Sequence, residues 1–166
     1  RLFPENSIYP ATEEASIAAA SYWTDTFLFK ASVAVAFQPK AVANSELFSD
    51  QETAAAFMVD RAALSKGSTE LSMDLSIAQS HWSMHMRRLD HQLSDVSFIG
   101  GDTPNILDFS SYHCCWFVYK NEVLRSDLES FPALVEWMTR MEGFGQGNSE
   151  MMTGEDAVKI ARDNVV

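Results

Sequence analysis

From Thr12 onward apolar residues return at helical rather than alternating spacing. Ala15, Ala19, Tyr22, Phe29, Val33 and Ala36 follow one such period, with Glu13, Glu14, Asp25 and Lys30 on other faces, up to Gln38 and Pro39. This predicts a long first helix. A second is expected from Ser49, whose hydroxyl can accept an orphan amide while Glu52 reaches back; it carries Ala55, Met58, Val59 and Ala62 to a stop at Gly67. The third stretch has the cleanest pattern. Leu75, Ala78, Trp82, Met86, Leu89 and Leu93 share a narrow arc and end before Gly100-Gly101.

After that glycine turn, Phe109 to Tyr119 is apolar almost all the way round, which a helix facing water on one side would not be. It is expected to be the buried central helix. Asn105 can cap it and Asp108, at the third helical position, can return a hydrogen bond to the cap's own amide. An alternative register places Thr103 at the cap and Pro104 first in the helix. Ser130 and Pro132 open another helix through Leu134, Val135, Met138 and Met141, and a short last one runs from Thr153 to about Arg162. No internal repeat and no alternating run flanked by hairpin turns is present. The expected fold class is all-α: a bundle of five to six helices around a buried central helix, in a single domain over residues 12–166.

Charge narrows the functions. Twenty-three acidic against 12 basic side chains give a net charge of −11 over 166 residues, which disfavours nucleic acid and anionic lipid surfaces. No apolar run reaches the roughly 18 to 20 residues of a membrane-spanning helix. The two cysteines, Cys114 and Cys115, are neighbours in the central helix, so a disulfide framework is excluded and inert thiols in a reducing cytoplasm are expected. The opening Arg1-Leu2-Phe3-Pro4 lacks an initiator Met and a leader pattern, and suggests a piece of a longer polypeptide.

Candidate chemistry is sparse. His81 and His85 have a spacing suited to one metal ion, but no third ligand stands at a matching offset and Glu is missing between them, so no metal site is expected. Gly143-Phe144-Gly145-Gln146-Gly147-Asn148 follows a helix rather than a strand and carries no Lys, and it reads as a connector. Ser110 and Ser111 lie near His113, yet no orienting carboxylate follows at a useful spacing.

Several of these pieces together resemble the C-terminal helical domain of the glutathione transferase family, bacterial type. They are Gln92-Leu93-Ser94-Asp95, the run from Phe98 to Phe109, Tyr112-His113 with Trp116-Phe117, Phe131-Pro132-Ala133-Leu134 with Trp137-Met138, and Gly143-Phe144-Gly145. Asn105 stands where the family usually has Ser or Thr. Phe3-Pro4 and Tyr9-Pro10-Ala11 resemble the linker after the family's thioredoxin-like domain, which assigns residues 1–11 to a linker from a missing N-terminal domain.

The resemblance implies the hydrophobic-substrate half of a cleft, contributed by Trp23, Phe27 and Lys30 of the first helix and Ser110, His113 and Phe117 of the central one. Its implied partners are a small hydrophobic electrophile, the thioredoxin-like domain in cis and a possible homodimer. Glutathione would be the parent's co-substrate and would not be bound by this chain alone. No catalytic residue is expected here, because the group that activates glutathione lies in the other domain. The alternative is a non-catalytic interaction module of the same fold.

Overall fold

The computed structural model describes residues 7–43, 48–64, 66–67 and 73–163. Phe3 and Pro4 of the expected linker lie outside them. The first helix is one rod in three parts: α1 (Glu14–Trp23), a π-helical stretch (Thr24–Leu28) and α2 (Phe29–Ala36). A single turn, α3 (Pro39–Val42), and α4 (Gln51–Leu64) follow, then the long α5 (Leu75–Leu93), the central α6 (Ile106–Tyr119), α7 (Glu122–Glu129), α8 (Pro132–Glu142) and α9 (Gly154–Asp163). The six expected helices are present, and two short ones, α3 and α7, add to them.

α6 packs against α1, the π stretch, α2, α7 and α8, while α5 packs against α2 and α8. Leu28, Met86, Val118, Leu124, Leu128, Leu134 and Trp137 are buried completely or nearly so, each contributing about 1.5 to 3 kcal/mol of transfer free energy. α5 buries Ala78, Trp82, Met86, Leu89 and Leu93, the arc seen in the sequence. The central helix buries Ser110, Ser111, Cys114, Cys115 and Val118, but Phe109 and Trp116 are each 38% exposed. One edge of the rod therefore reaches water.

The first helix departs from its apolar period. Ala15, Ala19 and Tyr22 are exposed, and the face turned inward carries Ile17, Ser21, Thr24, Leu28, Ala31 and Ser32. Two of its hydroxyls are satisfied within the helix: Thr24 Oγ1 donates to Ala20 O at 3.0 Å and Ser32 Oγ to Phe29 O at 2.8 Å. Polar but small and internally bonded, these residues can be buried at little cost.

Helix ends are held by local and by distant groups. The cap of α4 is Asp50, whose Oδ1 accepts Thr53 N at 2.7 Å, while Ser49 Oγ donates to the other oxygen. Ser49 is thus one residue outside its expected place, because the carboxylate is the stronger acceptor. α8 has no cap of its own, and Asp90 of α5 accepts Leu134 N at 3.1 Å. Asn121 caps α7 through Val123 N at 3.1 Å and donates to Ala41 O at 3.3 Å, joining α3 to the bundle. α4 buries only Ala54, and α9 buries nothing despite an apolar stripe.

Candidate functional site

Two features shape the seam between the first helix and α6. In the π stretch each turn takes more than 3.6 residues, so side chains after Trp23 drift from the register of an ideal helix. Thr26 Oγ1 donates to Tyr22 O at 2.7 Å, competing with the backbone for that carbonyl. Asp25 in the stretch and Phe29 at the start of α2 lie on the side that faces α6. On α6, Ser110, His113 and Cys114 follow the capped first turn on the facing side.

The result is a cleft of about 420 Å3 lined by Asp25, Phe29, Ile106, Phe109, Ser110, His113 and Cys114, within the size range of small-molecule sites. Larger depressions beside α9 are lined by that helix and its lead-in alone, so no second element closes them. Another larger one, of about 560 Å3, lies between α2, α5 and α7, lined by Val35, Gln38, Trp82, Arg87 and Asp127 among others. The smaller cleft is singled out because Ser110 and His113 line it. Inside the cleft the polar groups form a chain. Ser21 Oγ lies 3.0 Å from Ser110 Oγ and donates to Asp25 Oδ2 at 3.4 Å. A carboxylate only accepts, so Ser21 gives its proton to Asp25 and Ser110 gives its proton to Ser21. Ser110 then keeps its lone pairs for another donor.

The rest of the lining is aromatic or apolar. Phe29 and His113 have ring centroids 6.4 Å apart, and the His113 ring meets Phe117 edge-on at 5.2 Å. Phe117 lies 6.5 Å from Phe37, which stacks on Phe57 of α4 at 5.6 Å. An aromatic row thus runs from the cleft to α4. Burial pushes the Cys114 thiol up to about 11 and raises Cys115 well above the ordinary thiol value, so neither is a thiolate nucleophile near neutral pH.

The residues expected to form one site divide between two places. Ser110 and His113 line the cleft and Phe117 adjoins it. Trp23 and Phe27, stacked at 5.5 Å, face α5 instead: Trp23 meets His85 at 5.1 Å and Phe27 meets His81 edge-on at 4.9 Å. Lys30 is half-buried on α2 and does not line the cleft. Asp25 and Phe29 take the places given to Trp23 and Phe27: Ser21 of α1 already faces Ser110, and Asp25 and Phe29 follow it at four-residue steps on the same side, whereas Trp23 lies on the side that meets α5. Ile106, Phe109 and Cys114 are further lining residues; Phe109 and Cys114 belong to the all-round apolar run expected to be buried, and nothing in the sequence singles out Ile106. Among the described residues no group of three or more His, Cys, Asp or Glu could hold a metal ion, and His81 and His85 of α5 are engaged by rings.

The cap lies at one end of the cleft. Asn105 Oδ1 accepts Leu107 N at 2.8 Å and Asp108 Oδ2 accepts Asn105 N at 3.1 Å. This selects Asn105 over the Thr103 register. Ile106 N donates to Ile8 O at 3.0 Å, so the segment before α1 crosses the start of α6.

No protein-family model matches the chain. No curated protein matches it either. Among solved structures, it is similar to a GST-like protein from Pseudomonas syringae, with 26% identity, a TM-score of 0.71, and coverage of 100% of this chain and 50% of that one. The chain thus spans half the length of that structure. Its fold is an all-α bundle like the C-terminal domain of glutathione transferases. No described helix is long and apolar enough to cross a membrane.

Proposed function

We propose that this chain supplies the hydrophobic-substrate half of a glutathione transferase-like protein, with the cleft between the π stretch and α6 as that half-site. The carrying observation is the position of an apolar, aromatic-lined cleft on the edge of the central helix, in a chain similar over its whole length to half of a GST-like structure. In this reading the electrophile rests against Phe29, Phe109 and His113. Glutathione and the group that activates it come from a thioredoxin-like domain joined in cis, a homodimer completes the assembly, and the chain by itself conjugates nothing.

The test joins such a domain ahead of Ser7 and assays conjugation of a small aromatic electrophile with glutathione. Turnover in the fusion, lost or much reduced in Phe29→Ala and Phe109→Ala, supports the reading. A folded fusion that neither binds glutathione nor turns over counts against it. The docking-module alternative draws on the exposed Met151, Met152, Val158 and Ile160 in and before α9. It predicts that these residues, and not the cleft, govern any partner's affinity.

A further inference from the structure

We infer that the cleft selects aromatic ligands carrying an ammonium or another hydrogen-bond-donating group and disfavours anionic ones. The inference rests on the half-cleft reading above and names the substrate class of that same site. Its basis is the sign and direction of the polar groups. Among the described residues Asp25 is the one charged side chain of fixed sign in the lining, and no described lysine or arginine lines the cleft.

The Ser21 hydroxyl sits 3.4 Å from Asp25 Oδ2 and holds the carboxylate on this side of the helix. Ser110, committed to Ser21 at 3.0 Å, presents acceptor lone pairs rather than a proton. Carboxylate and hydroxyl thus make an acceptor edge along one wall. Phe29 and Phe109 also line the cleft, and an aromatic ring attracts a cation and repels an anion over its face. An apolar cleft alone discriminates weakly between ligands, whereas a polar edge of one sense penalises a ligand of the wrong sense. A carboxylate or sulfonate placed here would meet Asp25 with no fixed cation among the described lining residues to offset it.

The experiment uses three near-isosteric probes on the 166-residue chain: naphthalene bearing an ammoniomethyl, a hydroxymethyl or a carboxylate group. Binding is read at pH 8 and low salt by shifts of the His113 imidazole signals in NMR titrations. The ammonium probe is expected to bind about three- to tenfold more tightly than the alcohol and the carboxylate correspondingly more weakly, with the spread narrowing as salt is added. Asp25→Asn keeps an acceptor for Ser21 and should bring the three affinities together. The general field of a chain with net charge −11 acts in both proteins, so the difference isolates Asp25. Alcohol binding with no preference for the cation, or a preference that survives Asp25→Asn, overturns the inference and leaves the half-cleft reading standing. Failure of all three probes to move His113 overturns both.

Discussion

The indole Nε1 of Trp137 donates to Asp108 Oδ1 at 2.9 Å, and both side chains are fully buried. The same oxygen accepts Ile99 N at 2.8 Å, and Oδ2 accepts Asn105 N at 3.1 Å. One carboxylate therefore joins the glycine turn, the start of α6 and the middle of α8. Removing it leaves three buried donors without partners. Asp108→Ala should cost about 3 kcal/mol or more, against about 1 kcal/mol for Asn105→Ala, which loses one capping bond. Trp137→Phe, keeping most of the packing, should cost about 1 to 2 kcal/mol. Urea unfolding of the three variants gives the order, and equal midpoints for the Asp108 and Asn105 variants would refute the junction.

The glycine turn gives a second prediction. Phe98 and Gly101 exchange two backbone hydrogen bonds, of 2.8 and 2.9 Å, around Ile99 and Gly100. A Cβ on Gly100 would run into Asn105 Nδ2, the amide of the capping side chain. Gly100→Ala should therefore act by displacing that cap, costing about 1 to 2 kcal/mol. In Asn105→Ala the obstruction is gone, and the same glycine substitution should cost much less. A double-mutant cycle measures this; additive effects would show that the two positions do not meet.

How far the sequence anticipates these features depends on their range. The cap at Asn105 and Asp108 and the arc of α5 are legible because each is a local pattern, a three-residue step or an unbroken 3.6-residue period. The Trp137 bond to Asp108 and the Asp90 cap on α8 link distant segments and leave no periodic mark. The site is less legible for the same reason. The resemblance implies Trp23 and Phe27 beside Ser110 and His113, whereas Asp25 and Phe29 line the cleft there, because the side of the first helix that meets α6 is set by contacts between distant segments and leaves no local mark. The burial of Ser21 and Thr24 has no sequence signal either, since composition does not reveal that their hydroxyls find partners inside the bundle.

The thiols give a chemical test. With burial holding Cys114 near 11 and Cys115 well above the usual thiol range, modification by a disulfide reagent at pH 8 should be about a hundredfold slower than for a free thiol. Both cysteines should react rapidly once the chain is unfolded in urea. Fast native-state labelling of either, read by mass spectrometry, would contradict their burial.

The final prediction concerns acid. His85 Nε2 is buried with no hydrogen-bond partner, its ring lies 5.1 Å from Trp23, and desolvation, with Arg88 adding repulsion, lowers the imidazole to about 4. Folding therefore keeps this histidine neutral where an unfolded chain, with an ordinary value of 6.5, binds a proton. Between those two values the unfolded state holds more protons, so stability falls as pH drops from about 7 toward 4. The full contribution is about 3 kcal/mol. His85→Leu removes the proton and keeps an apolar group against Trp23. Its unfolding free energy should decline less than wild type between pH 7 and pH 5, a window chosen to precede most carboxylate titration. Parallel pH profiles for the two proteins would place His85 in water and dissolve the packed seam between α1 and α5.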